Sequence, residues 1–169
     1  MNRGERKTRS DKKKEVKALL PIELKDFIYR ISYVTHTPIK DIGDQLCSLA
    51  LQNEKIINEL SQHFQRGIHF NNIFYNGTNG TPRIPKRFDG AKDRISMRLS
   101  QRLFELVAVI SYALDCQPSR TVAVLLQKIV MDRALMTTYI NQSLPDRLTM
   151  HQQRELGAIL SYIENGGIP

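Results

Sequence analysis

The chain has 169 residues, 41% of them hydrophobic, and a formal net charge of +8. That length suits one domain or two very small ones, and no apolar run approaches the ~18 residues of a membrane span. Its two cysteines, Cys47 and Cys116, form no CxxC or Cys/His cluster, which excludes a disulfide framework and a zinc site.

A positive balance of this size suggests a polyanionic partner, nucleic acid or an anionic membrane surface. The basic N-terminus has no apolar segment behind it, so a signal peptide is not expected, and the expected compartment is the reducing cytoplasm. The charge sits in two places. Residues 1–17 hold eight basic side chains against three acidic ones, and residues 83–102 hold seven against two, +5 in each case.

In chain order, residues 1–14 read as a basic arm, polar enough to stay disordered without a ligand. A strand is predicted over Glu15–Leu20, with Val16, Ala18 and Leu20 on one face and Glu15, Lys17 and Leu19 on the other. Pro21 fits the first position of a helix that runs to about Thr35 and carries Leu24, Phe27, Ile28 and Ile31 on its core face. Thr37-Pro38 reads as the N-cap and first position of a second helix, expected to continue through Ile56, Ile57 and Leu60 to about Gln65. Residues 67–93 are a glycine- and proline-broken linker. Its Phe70, Ile73, Phe74 and Tyr75 are too apolar for a free tether, so part of it should dock on the core.

A second strand is predicted over Arg94–Leu99, with Ile95, Met97 and Leu99 inward and Arg94, Ser96 and Arg98 outward. Ser100 is the expected cap of the next helix, which has Leu103, Leu106, Val107 and Ile110 on its core face. After a turn at Asp115–Ser119, a further helix carries Val122, Leu125, Leu126, Ile129 and Val130 and is expected to extend to Tyr139–Ile140, with Pro145 ending the region. Residues 147–164 read as an amphipathic helix stopped by Gly166-Gly167, either an oligomerisation element or a helix packed on its own domain.

The chain repeats itself. Shifted by 79 positions without a gap, residues 16–53 fall on 95–132 with six identities, Leu20/Leu99, Leu24/Leu103, Ile31/Ile110, Ser32/Ser111, Tyr33/Tyr112 and Leu46/Leu125. The apolar pattern agrees better than the identities do. A small unit that cannot close its own core buries it against a partner, here its twin.

Val16-Lys17-Ala18-Leu19-Leu20-Pro21-Ile22-Glu23-Leu24 resembles the strand and first-helix start of the ribbon-helix-helix DNA-binding proteins, the class of the methionine and Arc-type repressors. Ile95-Ser96-Met97-Arg98-Leu99-Ser100-Gln101-Arg102-Leu103 resembles a second copy, and the two repeats cover about 76 of the 169 residues. Where that family often has glycine between its helices, this chain has His36 and Asp115, and Pro21 is replaced by Ser100 in the second copy.

The resemblance implies a mainly α fold: a tandem ribbon-helix-helix, with two short strands pairing as an antiparallel ribbon over helix pairs, plus a C-terminal helix. The expected organisation is a basic flexible arm over 1–14, a first unit over 15–66, a linker over 67–93, a second unit over 94–141 and a C-terminal helix over 142–169. It also implies a ribbon in the DNA major groove with Lys17, Leu19, Arg94, Ser96 and Arg98 turned to the bases. Arg98 is the strongest candidate reader, since a bidentate contact to guanine discriminates by ~1–3 kcal/mol.

Phosphate contacts are expected from the arms, through Arg9, Lys12, Lys13, Lys14, Lys86, Arg87 and Lys92. Further ones are expected from the amino ends of the second helices, at Thr37, Lys40, Ser119 and Arg120. The outward strand faces differ, and the linker is long enough for the two copies to pair with each other, which favours an intramolecular ribbon over pairing between chains.

No Walker loop, GxSxG, HExxH or paired-carboxylate motif is present, so an enzyme is not expected, nor a cofactor, a metal or a small-molecule substrate. His36, His63, His69 and His151 are scattered, and the Ser32-Tyr33 and Ser111-Tyr112 pairs read as helix packing. The expected role is a cytoplasmic, bacterial, phage or plasmid-type repressor binding double-stranded DNA. A plasmid relaxosome or partition accessory protein, or an antitoxin using residues 142–169, fits the same residues. The rival from another class is a helical interaction protein whose basic arms bind RNA or an acidic protein.

Overall fold

Alternation with a period of two decides where the strands go. The computed structural model describes residues 12–143 and 148–165. Strand β1 (Lys14–Pro21) pairs antiparallel with β4 (Lys92–Leu99), and each has only the other as neighbour. Val16 lies opposite Met97 and Ala18 opposite Ile95, so the ribbon forms within one chain and all its inward apolar side chains are buried. The inward and outward sets are those expected from the sequence.

The helices below the ribbon repeat at the expected spacing. Helix α1 (Ile22–Thr35) and helix α4 (Gln101–Leu114) have the same length and lie 79 positions apart, as do α2 (Ile39–Gln52) and α5 (Pro118–Met131). The fold is mainly helical, with seven helices and two small antiparallel sheets of two strands each among the described residues. One continuous hydrophobic core runs from Val16 to Leu156 and draws on both halves of the repeat. Gly43 of α2 lies so close to Met97 that a β-carbon there would overlap its sulfur, which lets α2 pack directly under the ribbon.

The helix ends correct several expectations. Pro21 is the last strand residue and the N-cap of α1, so it lies one position before the helix. Pro38, not Thr37, caps α2; Thr37 is buried, with its hydroxyl donating to the Thr35 carbonyl. Ser100 caps α4 as expected, accepting from the Leu103 N–H at 3.3 Å.

The long second helices are each two helices. α2 ends at Gln52 and α3 (Glu54–Ser61) starts afresh; α5 ends at Met131 and α6 (Arg133–Ser143) follows. At both breaks one residue takes an extended backbone and recaps the next helix. The Asn53 Oδ1 accepts from the Ile56 N–H at 3.0 Å, and the Asp132 Oδ1 from the Leu135 N–H at 3.1 Å. Asn53 and Asp132 are again 79 apart, so the repeat reaches into a third helix. After the bend, Ile56, Ile57 and Leu60 lie in the core.

The linker docks in part. Ile68–Phe70 (β2) and Ile73–Tyr75 (β3) form a hairpin through Asn71 and Asn72, both left-handed at φ 49° and 62°. Phe70 and Tyr75 are buried, with Tyr75 edge-on to Phe64, whereas Ile73 and Phe74 stay exposed. Of the repeated Ser-Tyr pairs, Ser111 is buried and Ser32 half-buried, but Tyr33 and Tyr112 face solvent. Packing therefore accounts for the serines and not for the tyrosines.

Helix α7 (Met150–Glu164) packs back on α1: Leu156 is buried and the Gln152 side chain donates to the Val34 carbonyl at 2.7 Å. No described helix is long and apolar enough to cross a membrane. Most of the N-terminal arm with Arg9, the Pro145 stop and Gly166-Gly167 lie outside the described residues.

Candidate nucleic-acid interface

The outer face of the ribbon is a two-by-three array. Glu15 faces Arg98, Lys17 faces Ser96 and Leu19 faces Arg94 across the strands. All but the half-buried Leu19 are exposed. The side chains of Lys17, Arg94 and Arg98 enter no hydrogen bond or close ion pair among the described residues. Ser96 is committed differently, because its Oγ donates to the Glu15 carboxylate at 2.7 Å. That hydrogen bond, then the charges of Lys17 and Arg98, hold the Glu15 carboxyl below the usual carboxylate range, so it is ionised at neutral pH. Glu15 is the acidic member of this face. Alternation had already placed it outward, although it was not among the expected contacts.

Beside the ribbon lies a groove of about 800 Å³. Lys17, Leu19 and Arg94 reach it from the ribbon, Lys86 and Arg87 from the linker, and Ser119 and Arg120 from the start of α5. Seven of the residues expected to touch a polyanion therefore converge there from three separate parts of the chain. Arg66 joins them. It lies beyond the end of α3, in a stretch without periodicity, and the sequence offered no signal for it. Its guanidinium donates to the Tyr112 carbonyl and to Asp115, at 2.9 and 2.7 Å, and sits 4.8 Å from the centre of the Tyr112 ring. Asp115 also receives Arg83 at 2.9 Å, so two arginines neutralise this carboxylate of the groove.

The remaining expected contacts are scattered. Lys12, Lys14 and Lys40 are exposed, and Lys13 pairs with Asp41 at 3.3 Å near the start of α2. Thr37 is buried and turned inward, which removes it from the surface. Lys92 donates to the carbonyls of Phe88 and Gly90, and so fastens the linker. Arg120 does similar work: its Nε donates to the Pro85 carbonyl at 2.9 Å and its guanidinium lies 3.9 Å from the Phe88 ring centre. Ser96 and Arg98 do not line the groove.

No protein-family model, curated protein or solved structure matches this chain. Both cysteines are packing groups. Burial pushes the Cys47 thiol up to about 12, and raises that of the partly buried Cys116 as well. No group of three or more His, Cys, Asp or Glu among the described residues could hold a metal ion. What the surface offers is fixed positive charge beside a narrow ribbon of outward side chains.

Proposed function

We propose that this chain is a double-stranded DNA-binding protein of the ribbon-helix-helix type, with two units in one chain, and that it represses transcription by occupying an operator. The observation that carries this reading is the uncommitted Lys17, Arg94 and Arg98 on the ribbon's outer face, with Lys17 and Arg94 continuous with the basic groove.

The dimensions support it. Eight residues at about 3.4 Å each make a ribbon ~27 Å long, with strands ~5 Å apart. A major groove ~12 Å wide admits a two-stranded ribbon of that width. Arginine there forms bidentate bonds to guanine, and Leu19 offers an apolar contact to a thymine methyl. The groove cations would grip the flanking phosphates, a contact that carries no sequence information but fixes the register.

The two ends of the array are unlike: Leu19 with Arg94 at one, Glu15 with Arg98 at the other. One chain would therefore read an asymmetric site. A protein with this role would act where DNA is, in the cytoplasm on the nucleoid or a plasmid, and would need no covalent chemistry.

The test is selection of randomised duplex DNA by the purified chain at ~150 mM salt, where weak non-specific binding is suppressed. An enriched, asymmetric motif is the expected result. Binding without enrichment, lost as salt rises, overturns base reading and leaves the arms as general polyanion contacts.

A further inference from the structure

Residues 84–91 of the linker form a strap over the surface between α1, α3 and α5. The strap is tied at several points. Arg120 donates to the Pro85 carbonyl, Lys92 to the carbonyls of Phe88 and Gly90, and the Ile22 N–H to the Ala91 carbonyl at 3.2 Å. Beneath it is a cleft of about 450 Å³, distinct from the basic groove. That volume falls within the ~300–1,000 Å³ of small-molecule sites.

The walls of the cleft are apolar. Leu60 and Val124 are buried core residues, and Ile84 and Phe88 of the strap pack against that core. Its charges are nearly balanced. Arg87, Arg120 and Lys128 contribute three positive groups against the two carboxylates of Glu23 and Asp89. Lys128 is tied to Glu59 at 2.7 Å and the Arg120 Nε to the strap, whereas the exposed Arg87 side chain is uncommitted among the described residues.

We propose that the cleft under the strap binds a small organic monoanion with an apolar, ring-sized body. The apolar walls bury the body, and Arg87 with the free end of the Arg120 guanidinium receives the anionic group. Lys128 is already paired with Glu59, so Arg87 and Arg120 are the cations left to receive a single anionic group. A polyphosphate would instead meet Glu23 and Asp89. Arg87 and Arg120 line both the cleft and the basic groove, so an occupant would draw on cations that the groove also uses. The cleft itself stands whether or not the groove binds DNA.

The probe is 1-anilinonaphthalene-8-sulfonate, a monoanion on an apolar ring body, titrated into the full chain and read by fluorescence without nucleic acid. Saturation at one probe per chain is expected. Val124→Trp, which fills the cleft, and Arg87→Glu, an exposed change that reverses the charge, should each weaken binding by about tenfold or more, ~1.4 kcal/mol. N-phenyl-1-naphthylamine, the same body without the sulfonate, should bind more weakly by a similar factor. Circular dichroism checks that each variant is folded, and Arg87→Glu carries the test if Val124→Trp is not. Phe74→Ala, at an exposed aromatic that does not line the cleft, should leave binding unchanged. Binding indifferent to Arg87→Glu, or equal for the neutral analogue, or at several sites per chain, overturns the proposal.

Discussion

His36 and Asp115, 79 residues apart, hold the same left-handed backbone, at φ 52° and 54°. Each ends the first helix of its half, and each N–H returns to the carbonyl three residues back. A non-glycine residue in this conformation is strained by about 1–2 kcal/mol, because its β-carbon crowds the following carbonyl. The side chains differ in what they give back. The Asp115 carboxylate receives Arg66 and Arg83, whereas His36 is exposed and its side chain makes no hydrogen bond among the described residues.

The equivalent substitution should therefore have different consequences at the two sites. His36→Gly relieves the strain, less the extra freedom that glycine gives the unfolded chain, for a net gain of about 0.5–1 kcal/mol. Asp115→Gly relieves the same strain but strands two guanidinium groups, so no gain is expected. Urea denaturation of both variants checks the difference. An equal gain at both sites would mean that the arginine pairs contribute nothing.

What was legible in the sequence follows from what local chemistry controls. Alternation placed Val16, Ala18, Leu20, Ile95, Met97 and Leu99 inward, because a strand has only two faces. The 79-residue offset located the paired helices. The breaks at Asn53 and Asp132 were hidden, because the apolar spacing runs through them as if α2 and α5 continued. Only the capping geometry shows that the chain bends. The strap contacts of Arg120 and Lys92 and the groove position of Arg66 depend on where the linker lies, which residue spacing does not encode. Arg120 and Lys92 were read as available, and the fold engages both, as it does the unexpected Arg66.

The two hidden caps can be tested directly. Asn53→Ala leaves the Ile56 N–H without its acceptor, and Asp132→Ala does the same to the Leu135 N–H. Each should lower stability by about 1 kcal/mol, the usual worth of an N-cap side chain. Asp132 also pairs with the exposed Lys55, whose contribution should be small. Asn53→Asp and Asp132→Asn, which keep an acceptor oxygen, should stay close to the parent. If they lose as much as the alanine variants, capping is not what the side chains do.

Glu15 gives a pH dependence with a definite sign. Its folded carboxyl titrates below the ordinary range, because Ser96 donates to it and Lys17 and Arg98 lie close. A group depressed on folding stabilises the chain above its unfolded pKa, and loses that contribution as pH falls through the folded value. Glu15→Gln should therefore flatten the acid side of the stability profile and leave the neutral-to-alkaline side parallel to the parent. Thermal unfolding between pH 3 and pH 8 checks this. An unchanged acid slope would mean the carboxylate is as free as in the unfolded chain.

Arg98 and Arg87 separate reading from holding. Arg98 lies on the ribbon opposite Glu15, away from the groove; Arg87 lies on the linker within it. If the ribbon enters the major groove, Arg98→Ala removes a base contact. Preference for one base pair should then relax by about 1–3 kcal/mol, with little change in binding to unrelated duplex. Arg87→Ala removes a phosphate contact. Affinity should fall alike on all sequences, and the slope of log affinity against log salt should shrink by about one. Titrating both variants on the selected motif and a scrambled duplex, at several salt concentrations, gives both quantities. The two losses would look alike, uniform across sequences, if the basic surface only gathers polyanions. The ribbon's outer face would then have no reading role, and the RNA- or acidic-protein-binding alternative would fit the same residues better.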